Sequence, residues 1–389
     1  VKTIVIIVSI IIVMGLSLYG LAPHVPNPPK QTIDRAALEA YLQTLTAAGD
    51  PPGLSVTVMQ AGGLVYNAAF GLADGPNDIP ATPETVYHWW SMTKMATATA
   101  ILQLHEQGQL HIDDPVTDYL SFFQVDYPTP DSPPITIRHL LNHTSGLPDT
   151  IPAMIGWVHT ADELVDQTAL VQRELPNYRK LRFAPGSDSA YSNLGYMVLG
   201  ALIEAVSGES YEAYVAAHIV QPLHMTRTGF VVTSEMGTQE AAGSHPLVNL
   251  YTPMLPFLLD MDLLIRERTG TRYWFHRIYI DATPPTGLIG PAADAAKLAM
   301  ALSASSTLLA EESLAWMRPH GAERPLGWAD FGVQDGRNWV QHRGGGPGFA
   351  AIMRLYPDEQ LVIVIIANGT NLDGETLVEL IANTPGVTR

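Results

Sequence analysis

Cysteine is absent from the 389-residue chain. That removes disulfides, thiolate metal sites, cysteine nucleophiles and a lipidated N-terminal cysteine from consideration. Basic residues are scarce, with 21 Lys and Arg against 38 Asp and Glu and a formal charge of −17. Such a chain has nothing with which to neutralise a row of phosphates, so nucleic acid is excluded as a partner. Lysine is scarcer still: only Lys2, Lys30, Lys94, Lys180 and Lys297 occur. No internal repeat or low-complexity segment is present. The Gly-x-Ser-x-Gly elbow of the commonest serine hydrolase fold is also missing.

One long apolar run exists. Lys2 is followed by an uncharged stretch from Thr3 to Leu21, long enough to span a bilayer as a helix. The one plausible signal cleavage point, after Ala22, is followed by Pro23, which favours an uncleaved anchor over a removed signal. With Lys2 inside, the rest of the chain would be exported. Pro26, Pro28 and Pro29 then mark a linker. The expected division is an anchor or signal segment at 1–22, a Pro-rich linker at 23–31, a sheet domain built from 32–80 and 287–389, and a helical insertion at 81–286.

Within that frame, Asp34 to Ala48 reads as a helix with Leu38, Tyr41, Leu42 and Leu45 on one face and Gly49 as its stop. Leu54 to Val58 and Leu64 to Phe70 alternate as two strands around Ala61-Gly62-Gly63. Helical patterns follow at Met92–Gln107, Tyr196–Val206 and Tyr211–Ile219. Strand signals return at Leu326–Val333, Asn338–Gln341, Phe349–Leu355 and Leu361–Ala367, and Asp373 can cap a last helix. Strands at both ends of a helical middle imply one sheet assembled from both ends. The very apolar stretch Leu247–Ile265 holds Pro253, Pro256, Asp260 and Asp262, so it reads as core or as a wall over a cleft rather than as a spanning helix.

Three stretches carry chemistry. Ser91-Met92-Thr93-Lys94 stands where an aromatic stretch runs into a helix, so Lys94 shares a face with Ser91. A serine hydroxyl needs something to take its proton, and a lysine can do so once burial or a helix N-terminus makes its amine neutral. Tyr191-Ser192-Asn193 opens the second strong helical pattern; its tyrosine suits a phenolate or proton shuttle, and its amide can hold a substrate carbonyl. His342-Arg343-Gly344-Gly345-Gly346 ends one strand signal. It fails as a phosphate loop, because no Gly-Lys-Ser/Thr follows, and succeeds as a strand edge along a cleft, with His342 facing the substrate and Arg343 pointing away. His139 and His143 are four apart, but no Glu follows the first and no third ligand is evident, which argues against a metal site.

In this order and this spacing, Ser-x-x-Lys, Tyr-x-Asn and His-x-Gly resemble the serine β-lactamase and penicillin-binding-protein superfamily, in particular its class C β-lactamase, D-alanyl-D-alanine carboxypeptidase and esterase branch. The resemblance covers roughly residues 32 to 383. It implies an α/β fold, an antiparallel sheet flanked by N- and C-terminal helices with an inserted mainly helical domain. It also implies that Ser91 is acylated, that Lys94 and Tyr191 move its proton, and that Asn193, His342, Gly344 and Gly345 bind substrate. The oxyanion would be held by the backbone N–H groups of Ser91 and Gly345, with no metal or organic cofactor. His342 stands where many β-lactamases have a lysine for the substrate carboxylate, which turns the expectation toward peptide, amide or ester hydrolysis. The substrate would be a small molecule or a peptide.

Overall fold

The computed structural model describes residues 25–388 apart from 30, 250, 251, 253, 254, 304–307 and 319–323. The anchor or signal segment at 1–22 lies outside the described residues. Among those described, no helix is long and apolar enough to cross a membrane.

Among the described residues, chain order begins with helix α1 (Arg35–Ala47), started by the Asp34 carboxylate, which accepts from the Ala37 N–H at 2.9 Å. Strands β1 (Gly53–Gln60), β2 (Gly63–Asp74) and the short β3 (Ile79–Pro80) follow. Two helices frame the site, α2 (Lys94–Glu106) and α3 (Asn193–Ser207), and α4 (Ala292–Ala301) leads back to the sheet. Strands β4 (Asp330–Gln334), β5 (Arg337–Gly346), β6 (Phe349–Tyr356) and β7 (Leu361–Ala367) precede the final helix α5 (Gly374–Ala382). The sheet runs β4-β5-β6-β7-β1-β2-β3. Its β1–β7 ladder, from Leu54 opposite Ala367 to Gln60 opposite Leu361, joins the two ends of the chain.

Strand β7 shows why the sequence folds this way. All seven of its residues are buried, so it reads as an unbroken apolar run. Period-two alternation sends Leu361, Ile363 and Ile365 to one face, where Leu38 and Leu42 of α1 and Leu377 and Ile381 of α5 cover them. Val362, Val364 and Ile366 face the other way, into the large core shared with Leu298 of α4 and Met95 of α2. The catalytic-looking helices therefore rest on the sheet through a continuous apolar layer.

Residues 81–286 are mainly helix and loop but also hold a three-stranded antiparallel sheet of Ser244–Pro246, Arg272–Phe275 and Ile265–Thr269. Arg272 ties it to the main sheet. Its guanidinium, 5% exposed, donates to Asp50 Oδ1 at 2.9 Å, the Gly49 carbonyl at 2.8 Å and Ser244 Oγ at 2.9 Å. The stretch expected to be core or wall is both: Leu264 is buried, while Leu255 and Leu259 face a cleft beside Ser91.

Candidate active site

Ser91 does not open an α-helix directly. It lies in a 3-10 turn, Trp90–Thr93, that precedes α2, with Trp90 at φ +47°. A bulky residue in the left-handed region is strained, and the surroundings must hold it there. Two contacts with β5 do so. A Cβ on Gly344 would collide with the Trp89 carbonyl oxygen, and one on Gly346 would stand 2.5 Å from the Trp90 ring. From the opposite side, Trp89 N–H donates to the Leu288 carbonyl at 2.9 Å, and Leu288 N–H donates to Thr93 Oγ1 at 3.0 Å. The Ser91 turn is thus wedged between β5 and residues 287–290.

Lys94 is wholly buried, and its Nζ lies 3.4 Å from Ser91 Oγ. It donates to Asn193 Oδ1 at 2.7 Å and to the Pro285 carbonyl at 3.0 Å. Burial holds its pKa well below the ordinary lysine value, against the weaker opposing pull of the Asp149 charge. In its neutral form the amine would have two hydrogens for these two acceptors and a lone pair left to face Ser91, which is what a general base requires.

Tyr191 lines the cleft with Ser91, and the Lys94 amine lies 4.8 Å from the Tyr191 ring centroid. Burial pushes this phenol well above its ordinary pKa. Of the two roles the sequence leaves open, proton shuttle fits and standing phenolate does not. Asn193 is the first residue of α3, after Ser192, whose hydroxyl caps the Gly195 N–H at 3.1 Å. His342 is buried, with its ring centroid 6.0 Å from that of Tyr191. Burial pushes it down to about 3, so it is neutral and a poor clamp for a carboxylate. Arg343 points away as expected, pairing with Asp330 at 3.2 Å and Glu375 at 3.1 Å.

The three glycines divide their work. Gly345 lines the cleft with Ser91, and a Cβ there would meet nothing within 4 Å. Gly344, expected to contact substrate, is instead buried against Trp89; its part is close packing, which only a residue without a side chain permits.

One residue escaped the sequence reading. Asp149 Oδ1 accepts from Asn193 Nδ2 at 2.9 Å and from the Asn193 N–H at 3.3 Å. This fixes the amide with its oxygen toward Lys94. Nothing in the linear pattern marks Asp149, which follows the loop Gly146-Leu147-Pro148. We expect Asp149→Ala to leave those donors unpaired and lower stability by about 1–3 kcal/mol, read by denaturant unfolding, while slowing acylation because the amide is free to flip. His143, read in the sequence only as one of a histidine pair, packs its ring against Tyr191 with centroids 4.5 Å apart, and its Nδ1 accepts from the Ser192 N–H at 3.3 Å. His139, its supposed partner, accepts the Thr136 N–H in a capping box at 3.1 Å.

Two chambers meet at Ser91 and Tyr191. One, of 420 Å³, is polar and lies among His143, His342, Arg324, Asp330 and Arg343. The other, of 320 Å³, includes Asn193 and Gly345 and is walled mainly by apolar side chains. A larger hollow of 480 Å³, between residues 25–28, α1 and Thr370–Leu377, holds none of the expected site residues.

A model of the family described as Beta-lactamase matches residues 38–384. The chain belongs to the beta-lactamase family. Among curated proteins of similar sequence, Protein flp of Staphylococcus aureus (strain N315) is 28% identical over 352 residues, which cover 88% of this chain and 64% of that protein. The chain therefore spans just under two thirds of that relative. Putative penicillin-binding protein PbpX of Bacillus subtilis (strain 168) is 34% identical over 214 residues, 55% of this chain and 49% of that protein. Among solved structures, an octameric penicillin-binding protein homologue from Pyrococcus abyssi superposes with a TM-score of 0.71 at 25% identity, covering 91% of this chain and 78% of the other. D-amino acid amidase from Ochrobactrum anthropi SV3 gives a TM-score of 0.73 at 22% identity, covering 89% of this chain and 97% of the other, a likeness of fold. This beta-lactamase-family chain thus has the α/β architecture its motifs implied.

Proposed function

We propose that the protein is an exported serine hydrolase that cleaves an ester or amide through a Ser91 acyl-enzyme. The observation that carries this reading is the buried Lys94 amine, committed to two acceptors and facing Ser91 Oγ at 3.4 Å. Ser91 Oγ bonds to the acyl carbon as its proton passes to Lys94. The C–O or C–N bond then breaks, and Tyr191 hands the leaving group a proton that it recovers from Lys94. The N–H groups of Ser91 and Gly345 would hold the oxyanion between these events. Water repeats the attack, releases the carboxylic acid and restores Ser91.

A pure ligand-binding module on this fold has no need of a neutral lysine beside a serine, which weighs against that alternative. Neutral His342 favours substrates without a carboxylate to clamp, and so esters and amides over penicillins. Penicillin capture with slow turnover is the second reading, supported by the order of the three motifs.

The test is intact mass of the full chain over time with benzylpenicillin and with an aryl acetate, beside Ser91→Ala. We expect an adduct on Ser91 that the variant lacks: transient with the ester, and with penicillin either persistent, as in a penicillin-binding protein, or absent. Wild-type ester hydrolysis by Ser91→Ala would sink the serine mechanism. The uncharged Thr3–Leu21 run supports a membrane-anchored, exported position, and recovery of the full chain from the soluble fraction would oppose it.

A further inference from the structure

The 320 Å³ chamber lies on the Asn193 and Gly345 side of Ser91, where the acyl half of a substrate belongs if those residues hold its carbonyl. Its apolar walls include Ile151, Met154 and Ile155 from one segment, Leu255 and Leu259 from a second, and Phe275 from the strand Arg272–Phe275. None of its described lining residues is Asp, Glu, Lys or Arg. Nor does any residue from 247 to 259 carry a charge, so the sequence around Leu255 and Leu259 is neutral by composition. The one titratable group apart from Tyr191, His245, is satisfied locally. Its Nδ1 is 2.8 Å from Thr370 Oγ1 and its Nε2 3.3 Å from Thr252 Oγ1. Apolar surface continues outward on the first two of these segments: Ile151 is 51% exposed, and Phe257, on the same short helix as Leu255, is 89% exposed.

We infer that this chamber is an acyl-binding site for uncharged, apolar acyl groups, aromatic or medium-chain aliphatic, and that it rejects amino-acyl groups with a free α-ammonium. The inference rests on the serine hydrolase reading and names its substrate class. An ammonium carried into the chamber loses its water and finds no carboxylate, so its desolvation is not offset. An apolar chain releases water from both surfaces and gains about fourfold in binding per methylene. Size agrees, because an apolar cavity of about 150 Å³ already takes benzene. The chamber has room for a phenyl group on a short chain.

The experiment uses the full chain and p-nitrophenyl esters from acetate to dodecanoate, together with two esters that differ by one group, 3-phenylpropanoate and phenylalanine. We expect kcat/KM to climb about threefold to fourfold per methylene until the chamber is full, then to level or fall. The 3-phenylpropanoate should exceed either enantiomer of the phenylalanine ester by more than tenfold. Ile155→Trp, which fills the chamber, should lower the ratio of octanoate to acetate turnover. A flat chain-length response, or equal turnover of the paired esters, overturns the inference while leaving the hydrolase reading intact. Calorimetric binding of 3-phenylpropanamide and phenylalaninamide to Ser91→Ala separates the two ideas without turnover. Preference for the uncharged amide with no ester hydrolysis by the wild type would sink only the hydrolase reading, and absence of preference would sink the chamber.

Discussion

Replacing Lys94 with methionine is expected to slow acylation of Ser91 by about 10²- to 10⁴-fold, the usual worth of a positioned general base, with the fold retained. Methionine fills a similar length of the buried channel but has no lone pair to take the serine proton. The pH dependence distinguishes a base from a packing residue. Because burial holds the lysine well below its ordinary 10.5, the wild-type acid limb of kcat/KM should fall well below that value, as the amine becomes neutral. The variant should lose that limb. Tyr191 is pushed the other way and stays protonated, so it adds no descending limb near neutrality. An unchanged pH profile in Lys94→Met would remove Lys94 from the role of base.

Stability carries the same signature with a definite sign. Below the folded pKa both states of the protein hold the proton, and burying the charged amine costs its full penalty. Between the folded and unfolded values the unfolded chain binds the extra proton, so wild-type stability climbs with pH by about 1.4 kcal/mol per unit from this group alone. Above the unfolded value the penalty is gone. Lys94→Met should therefore flatten the pH dependence of unfolding and be more stable relative to wild type at lower pH, measured as denaturant midpoints across the series. A site that loses rate and gains stability on the same substitution is one where burial serves reactivity rather than folding.

The sequence showed the frame and the residues grouped at the candidate site well, because those signals are local or periodic. Strand β7 is a seven-residue apolar run since both its faces are covered, and α1 shows its stripe and its Asp34 cap directly. Ser91, Lys94, Tyr191 and Asn193 announce themselves by spacing within single turns. What stayed hidden depends on contacts between distant segments. The 3-10 turn with Trp90 at φ +47° runs against local preference and persists because β5 presses on it. Asp149 gains its part only when its loop meets the start of α3. His342 looks like a partly charged imidazole in sequence, and only its burial makes it neutral. The small sheet at 244–275 was obscured by Pro253 and Pro256; the turn at Gly270, φ +60°, between Ile265–Thr269 and Arg272–Phe275 was its one readable signal.

Gly344→Ala should be far more damaging than Gly345→Ala, although the two glycines are neighbours on one strand. The added methyl at 344 points at the Trp89 carbonyl oxygen, a backbone atom that cannot rotate away. Strand β5 and the Ser91 turn must then separate, at an expected overpacking cost of about 1–3 kcal/mol. The movement also reaches the chemistry, because the Trp89 carbonyl accepts the Met92 N–H at 3.2 Å and so helps shape the turn holding Ser91. If Ser91 is the nucleophile proposed above, a displacement of about 1 Å there is enough for about a 10²-fold loss of rate. At 345 the methyl meets nothing within 4 Å, so stability should stay within about 0.5 kcal/mol of wild type. The backbone N–H proposed for the oxyanion is retained there, and the methyl instead narrows the cleft, raising KM for bulky acyl groups more than it lowers kcat. Unfolding curves and ester kinetics on the two variants check this together. Equal stability of the pair would mean that β5 does not hold the strained turn, and the wedge between β5 and residues 287–290 would lose its part in positioning Ser91.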